Sequence, residues 1–192
     1  MGKLVYGVGV NDADYPVKTH KYLNNKREMA WECPIYSRWR EMLRRCYSKE
    51  VEEKWPSYIG CTVNEEWHIF SNFRLWMVEN YKSGYFLDKD LKIKNNTEYS
   101  KDTCLFVPPK VNSFIIRELS VESVPKNKKG LYYTTCRDPI SGERYRLGTF
   151  TSKQDAFDAW LCKKKLMAQK LAATLPDEDA LIKHYLISRY EE

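Results

Sequence analysis

The chain has 192 residues, of which 43% are hydrophobic and 30% are charged, and its formal net charge is +6. This composition excludes a disordered chain, and no apolar run reaches the roughly 20 residues that a membrane-spanning helix needs. The length suits one ordinary domain or two small ones. The first residues lack the apolar stretch of an export signal, so we expect a cytoplasmic protein with no membrane partner.

Residues 1–30 combine turn formers with few apolar side chains, which predicts an irregular arm. The following segment predicts an amphipathic helix, because its apolar residues recur at helical spacing. This stripe consists of Tyr36, Trp39, Met42, Leu43 and Cys46. Arg44 and Arg45 lie off the stripe, so they form either a face for a phosphate backbone or an ordinary solvated face.

A second helix, rich in aromatic residues, is predicted from Glu65 onward. Its apolar residues are Trp67, Phe70, Phe73, Leu75, Trp76 and Met77. Such a stripe is more typical of a core than of a ligand surface. His68 lies within this segment, and a helical histidine is usually structural or solvent-facing, although its pKa range also suits a site.

The six cysteines form no Cys-x-x-Cys pair. In a reducing compartment we expect buried thiols. A zinc site would need the fold to bring four ligands together, and Cys33, Cys46, Cys61 and Cys104 keep that alternative open.

Residues 87–112 predict a short strand, a turn-rich loop, a second strand and a helix. The motifs are LDKD, YSKDTCLFV and PPKVN, and proline suits the first turn of the helix. Together with the upstream YSRWREMLRRCY, YIGCTV and EEWHIFSNFRLW, they resemble the HNH (His-Me finger) nucleases of the phage and homing-type branch. The resemblance covers roughly residues 30–116. It implies a degenerate or variant ββα-metal finger with flanking helices.

The same resemblance implies Asp88 and Asn112 as ligands of Mg²⁺ or a similar divalent cation, which prefers such oxygen donors. The general base of that family is a histidine directly after the first aspartate, and Lys89 occupies this position here. Since an ordinary lysine has a pKa of about 10.4, Lys89 suits a cation near the scissile phosphate better than a base. Tyr99 and His68 are the remaining candidates for the base. In the alternative without catalysis, the aspartates and the asparagine are only loop and cap residues.

Residues 119–127 are polar and predict a linker. Beyond them, LYYTTCR, a turn at DPISGE and RYRLGTF predict two strands. A helix follows, capped by Thr151 or Ser152. Its CKKK run predicts a solvated face, and PDEDALIKHYLISRYEE predicts a final short helix.

The strand RYRLGTF alternates so that Arg144 and Arg146 share one face, with Tyr145 and Leu147 on the other. Ten basic and five acidic residues lie between positions 120 and 165, so this stretch holds most of the positive charge. A sheet with one packed face and one exposed basic face can enter a DNA groove.

KKGLYY, RYRLGTF and TSKQDAFDAW resemble the small DNA-binding domain of plant ethylene-response factors, which is also common at the C-terminus of phage HNH proteins. This resemblance covers about residues 128–165 and implies a three-stranded sheet packed on a helix. The turn at DPISGE is longer than in that family, and the first strand carries fewer arginines. The residues expected to contact DNA are Lys128, Lys129, Arg137, Arg144 and Arg146.

The sequence thus predicts an α+β protein with four parts: an arm (1–30), an HNH-like domain (31–118), a linker (119–127) and a sheet-plus-helix domain (128–192). Its predicted function is metal-dependent hydrolysis of DNA phosphodiesters by a phage-type HNH-like endonuclease that the C-terminal sheet holds on double-stranded DNA. The alternative is a catalytically inactive DNA-binding, regulatory or anti-defence protein with the same two domains. A third reading is an inhibitor whose basic face contacts an acidic host protein. If a phage encodes the chain, the compartment is the host cytoplasm.

Overall fold

The structure is a computed structural model that describes residues 3–191. Within that range it has six α-helices and eight short strands, and each sheet contains two strands. The predicted α+β class is therefore confirmed. The chain forms two compact units: the N-terminal unit runs through Ser83 and includes Asn95–Phe106, and the C-terminal unit comprises Gly84–Lys94 and the chain from Val107 onward.

The helices are α1 (Pro34–Tyr47), α2 (Lys49–Lys54), α3 (Phe70–Asn80), α4 (Pro109–Ile116), α5 (Lys153–Ala172) and α6 (Ala180–Ser188). The strands are β1 (Lys18–Leu23), β2 (Lys26–Glu32), β3 (Thr62–Val63), β4 (Phe86–Asp88), β5 (Glu98–Tyr99), β6 (Leu105–Val107), β7 (Tyr132–Arg137) and β8 (Arg144–Phe150). Short 3-10 turns cover Pro56–Tyr58, Glu65–His68 and Asp177–Asp179.

The core of the N-terminal unit lies between α1 and α3. α1 buries the complete predicted stripe, so the predicted apolar face of this helix is confirmed. The N-terminal segment crosses this helix at Gly9, where a Cβ atom would lie 2.5 Å from the Leu43 Cδ1 atom and 2.9 Å from the Trp39 ring. A larger residue at this position would therefore push the segment away from the helix.

The second predicted helix differs from the structure at its start. A 3-10 turn over Glu65–His68 precedes α3, so the helical register begins only at Phe70. Phe73 and Met77 then follow at helical spacing and are buried, whereas Leu75 points away and is 69% exposed. The prediction that Leu75 belongs to the core was wrong, because it assumed one continuous helix from Glu65.

An unpredicted hairpin occupies residues 18–32, where we expected an irregular arm. β1 and β2 pair antiparallel with a bulge between Thr19 and His20. Asn24 and Asn25 connect them with φ angles of 49° and 60°. A two-residue turn with both residues in the left-handed region suits the twist of a hairpin, and asparagine tolerates that region well.

The C-terminal unit contains the β7–β8 pair, which packs on α5. Ser152 caps α5 as predicted, since its side chain accepts hydrogen bonds from the backbone N–H groups of Gln154 and Asp155. The expected three-stranded sheet was wrong, because the third strand is reduced to one bridge between Lys126 and Tyr132. Pro125 has no N–H to extend the pairing, and a turn follows at once.

The segment 119–127 is packed within the C-terminal unit. Val124 is 5% exposed, and the Lys153 Nζ atom donates a hydrogen bond to the carbonyl of Glu122 at 3.2 Å. Residues 84–94 and 107–118 belong to this unit as well. The division into compact units thus falls within the sequence of the expected HNH-like domain.

Candidate functional site

The exposed face of the β7–β8 pair is basic. Arg144 and Arg146 are exposed, while the alternating Tyr145 and Leu147 are half-buried. Because Arg137 lies opposite Arg144 in the register, the three arginines share one face of the pair. We call Arg137, Arg144 and Arg146 the basic face.

The other side of the pair packs on α5, and this contact leaves the basic face exposed. Tyr145 lies opposite the buried Cys136, and the Lys163 Nζ atom lies 4.0 Å from the centroid of the Tyr145 ring. The structure therefore confirms the alternation that the sequence predicts for β8.

Lys128 and Lys129 lie in the turn before β7, at the other end of the strand from Arg137. The Asn127 side chain organises this turn by accepting hydrogen bonds from the N–H groups of Lys129 and Leu131. A strand of this length spans about 17–20 Å. The predicted DNA-contacting residues therefore extend along the whole strand pair.

Arg44 and Arg45 are already engaged within the N-terminal unit. Arg44 donates two hydrogen bonds of 2.8 Å to the Glu41 carboxylate. Arg45 is hydrogen-bonded to the phenol of Tyr99, and its guanidinium lies 5.8 Å from the ring centroid of Tyr58. The Arg44 pair lies within α1, whereas the contacts of Arg45 link α1 to β5 and to the 3-10 turn at Pro56–Tyr58.

The two predicted metal ligands both lie in the C-terminal unit, where β4 ends in Asp88 and lies against α4. Asp88 is buried, and its Oδ1 atom accepts hydrogen bonds from the N–H groups of Asp90 and Leu91 at 3.0 and 2.7 Å. Burial raises the pKa of its carboxyl group above the ordinary value. Asn112 lies half-buried on α4.

The donor chemistry of this pair fits Mg²⁺, which binds one or two protein oxygens and keeps several waters. Among residues 3–191, no group of three or more histidine, cysteine, aspartate or glutamate side chains is placed to hold a metal. All six cysteines are thiols, and only Cys162 is exposed.

The candidates for the base belong to different units. The Lys89 nitrogen donates to the Asp90 carboxylate at 2.6 Å within the C-terminal unit. Tyr99 and His68 belong to the N-terminal unit. Burial raises the pKa of the Tyr99 phenol well above its ordinary value, so the phenol keeps its proton at neutral pH and cannot accept another as a general base. The His68 Nε2 atom lies 3.2 Å from the hydroxyl oxygen of Tyr47.

A cavity of about 700 Å³ lies within the C-terminal unit, between α4, the turn that joins β7 to β8, and α5. Its cationic lining residues are Lys110, Arg117, Arg137, Arg144 and Lys164, and we call these five residues and the space between them the basic cleft. Phe114 and Trp160 also line it. None of the residues expected to bind a metal lines the cleft.

The sequence did not single out Lys110, Arg117 or Lys164 as functional residues, and Lys164 was also placed on the wrong side of its helix. We predicted that the CKKK run would be solvated, but Lys164 is only 4% exposed. It follows Trp160 by four residues and precedes Met167 by three, so it falls on the apolar stripe of α5. This spacing is the signal that could have placed it in the interior.

The buried Lys164 ammonium lies at the C-terminal end of α4. Its Nζ atom donates hydrogen bonds to the carbonyls of Phe114 and Arg117 at 2.7 and 3.2 Å. It also lies 3.5 Å from the centroid of the Phe114 ring. A cation at this end of a helix binds carbonyls that have no partner within the helix. Burial nevertheless lowers the pKa of Lys164 to about 8.

Asp138 is the carboxylate among the residues that line the cavity. It accepts hydrogen bonds from the N–H groups of Ile140 and Ser141 and from the Lys170 ammonium at 2.5 Å. The hydrogen bond from Lys170 lowers the pKa of Asp138 to about 2. Asp138 therefore builds the turn that joins β7 to β8, and Lys170 balances its charge.

Comparison of the chain with protein-family models, with curated proteins and with solved structures gave no match. The fold and the site together define an α+β protein with an exposed basic face and a basic cleft in its C-terminal unit. No helix within residues 3–191 is long and apolar enough to cross a membrane. Since the comparisons gave no match, the function is inferred from the chemistry of the basic face and the basic cleft.

Proposed function

We propose that the chain binds double-stranded DNA through the basic face of the β7–β8 pair. The observation that carries this proposal is the alternation on β8, which directs Arg144 and Arg146 away from the side that packs on α5. The resemblance of this segment to an ethylene-response-factor-like domain supports the same function.

The dimensions and the charge of the pair suit a DNA groove. The major groove is about 12 Å wide and admits a two-stranded ribbon. Arginine forks bind guanine edges or phosphate oxygens in a bidentate manner. Lys128 and Lys129 add positive charge at the far end of the pair, where they would contact phosphates that fix the position of the protein.

Fluorescence anisotropy with a labelled duplex tests this function. Arg144→Gln combined with Arg146→Gln should weaken binding at least tenfold, because two charged contacts are lost. The logarithmic salt dependence of the affinity should become shallower by roughly two units. The matched control removes the same charge from exposed α2 residues, with Lys49→Gln and Lys54→Gln. Equal effects of the two double variants would reject the basic face as the contact surface.

The second candidate function is the HNH-like nuclease. It is favoured by the packing of α4, which carries Asn112, against β4, which ends in Asp88. These two residues would hold the divalent cation, and a bound cation would stabilise negative charge on the scissile phosphate. Lys89 would contribute a further positive charge in the same unit.

Plasmid cleavage in the presence of Mg²⁺ or Mn²⁺ tests the nuclease. Asp88→Asn should abolish cleavage and leave the affinity for duplex DNA within about twofold, because Asp88 lies outside the basic face. If only Lys89→His cleaves, the natural chain is the inactive DNA-binding protein. Absence of cleavage by both the natural chain and Lys89→His would reject the nuclease.

A further inference from the structure

The basic cleft carries an excess of positive charge, because five cations and one carboxylate, that of Asp138, line it. Among residues 3–191, none of its five cations forms an ion pair with a carboxylate, and Asp138 is already bound by Lys170. Other cations of the chain have such partners, as in Lys18–Glu32, Arg44–Glu41 and Arg189–Glu118. Like charges that converge on one cavity repel each other, and an anionic ligand would relieve this repulsion.

Lys164 gives the cleft a buried cation. Its ammonium carries three hydrogens, and the carbonyls of Phe114 and Arg117 at the end of α4 accept two of them. Among residues 3–191 no carbonyl or carboxylate accepts the third hydrogen, and the nitrogen also lies 3.5 Å from the centroid of the Phe114 ring. Because a buried charge interacts with an anion more strongly than a solvated one does, an anion beside Lys164 would be bound more tightly than at an exposed lysine.

The size and the lining of the cleft suit a ligand larger than a simple ion. A volume of about 700 Å³ lies within the range of sites for whole organic ligands. The rings of Phe114 and Trp160 and the side chains of Pro109 and Ile140 provide apolar surface beside the cations. A ligand that matches both parts has a phosphate and a planar organic group.

We propose that the basic cleft binds a nucleotide, with its phosphate against the cations and its base against the apolar lining. This inference rests in part on the proposed function, because Arg137 and Arg144 belong both to the basic face and to the cleft. Two sources have the same chemistry, namely a mononucleotide and an unpaired nucleotide of a DNA strand. The cleft differs from the candidate metal finger, since neither Asp88 nor Asn112 lines it.

Isothermal titration calorimetry with adenosine monophosphate tests the proposal on the full chain. The double variant Lys110→Gln with Arg117→Gln should weaken binding at least tenfold, and both residues are exposed on or next to α4, so folding is preserved. Arg146→Gln is the matched control, because Arg146 shares the strand pair but does not line the cleft. It should leave mononucleotide binding unchanged and weaken the binding of duplex DNA.

Adenosine and inorganic phosphate separate the two parts of the ligand. Each should bind at least tenfold more weakly than adenosine monophosphate, and equal binding by phosphate would overturn the assignment to a nucleotide. Absence of mononucleotide binding, or binding that the double variant leaves unchanged, would also overturn it. If duplex DNA fails to bind while the mononucleotide binds in this manner, the cleft stands and the basic face fails.

Competition identifies the source of the nucleotide. A single-stranded oligonucleotide without terminal phosphates should displace adenosine monophosphate if the cleft receives a nucleotide of a strand. Failure to displace it assigns the cleft to mononucleotides. Either result supports a nucleotide site. If the oligonucleotide displaces adenosine monophosphate equally well from the Lys110→Gln, Arg117→Gln variant, the competition does not take place in the cleft.

Discussion

The two hairpins of this protein have similar backbones and opposite surroundings. β1–β2 and β7–β8 are both antiparallel pairs with one bulge each. α5 covers one side of β7–β8 and buries Thr134 and Cys136, whereas β1–β2 is exposed along nearly its whole length. An isolated two-stranded hairpin is marginally stable. The comparison shows that turn chemistry can form a hairpin, but a covering helix makes it part of a folded unit.

The uncovered hairpin also exposes large side chains. Tyr22, Leu23, Met29 and Trp31 are between 46% and 75% exposed. At its base, Glu32 binds Lys18 at 2.9 Å and Arg40 at 3.2 Å, which fastens β2 to α1. Contacts at the base stabilise this end of the hairpin and leave the tip dependent on its asparagine turn.

The largest expected effect comes from removing a buried side chain of α5, the helix that covers β7–β8. Trp160→Ala should lower the free energy of unfolding by about 3–5 kcal/mol, because Trp160 is buried on α5 and the change leaves a cavity. Trp31→Ala on the exposed hairpin is the matched control and should cost less than about 1 kcal/mol. Urea denaturation measures both. Similar losses would mean that the two hairpins are equally integrated into the fold.

The next largest effect is the pH dependence of the stability of the C-terminal unit, which contains Lys164. Because burial lowers the pKa of Lys164 to about 8, the unfolded chain holds this proton at pH values where the folded chain has lost it. The contribution of Lys164 to stability therefore rises between pH 8 and its ordinary pKa of about 10.4, by up to about 3 kcal/mol. Lys164→Met should remove this rise.

The charged and titratable groups that face Lys164 are Arg117, Glu118, Cys136, Arg189 and Tyr190. Burial raises the pKa of the Cys136 thiol and of the Tyr190 phenol, so these groups change stability in the opposite direction at alkaline pH. The measurement is therefore the difference in unfolding free energy between the natural chain and Lys164→Met at each pH. A difference that stays constant from pH 7 to 10 would contradict the lowered pKa.

A smaller effect concerns the start of the covering helix. Ser152→Ala removes the side chain that accepts two backbone N–H groups at the first turn of α5, and it should cost about 1 kcal/mol. Ser152→Asp should restore most of the loss, since aspartate also caps helices. Thermal unfolding followed by circular dichroism compares the variants. A loss that aspartate fails to restore would point to a contact other than the cap.

The smallest effect strengthens the uncovered hairpin. Asn25 has a φ angle of 60°, and Asn25→Gly creates the asparagine–glycine pair that this turn prefers. Amide hydrogen exchange in β1 and β2 should slow by a factor of about two to five, while global stability stays within about 0.5 kcal/mol. An equal gain in global stability would show that the hairpin unfolds together with the rest of its unit.

Several features follow from local sequence alone. The stripe of α1, the alternation of β8 and the Ser152 cap were predicted correctly, because each depends only on residues that lie close together in the sequence. The elements β4, β6 and α4 also occur where the motifs predicted them. Their assembly as a metal finger stays a prediction.

Other features required the tertiary structure. Leu75 was misplaced because a 3-10 turn shifted the helical register by a partial turn, and Lys164 was misplaced because three successive lysines suggested a solvated face. The β1–β2 hairpin is exposed because no helix within the described residues covers it. The sequence pattern of the two strands does not reveal this. Local patterns state which side chains share a face, and only packing decides whether that face finds a partner.

The sequence by itself determined the class of the fold, most of the helices and the basic face of β8. Only the tertiary structure assembled the basic cleft, because Lys110, Arg117, Arg137, Arg144 and Lys164 come from three separate segments of the chain. The physical reason is that periodicity acts over a few residues, whereas the repulsion between these cations depends on distances that folding sets. The positive charge was visible in the composition, and its convergence around one cavity was decided by the packing of α4, α5 and the β7–β8 pair.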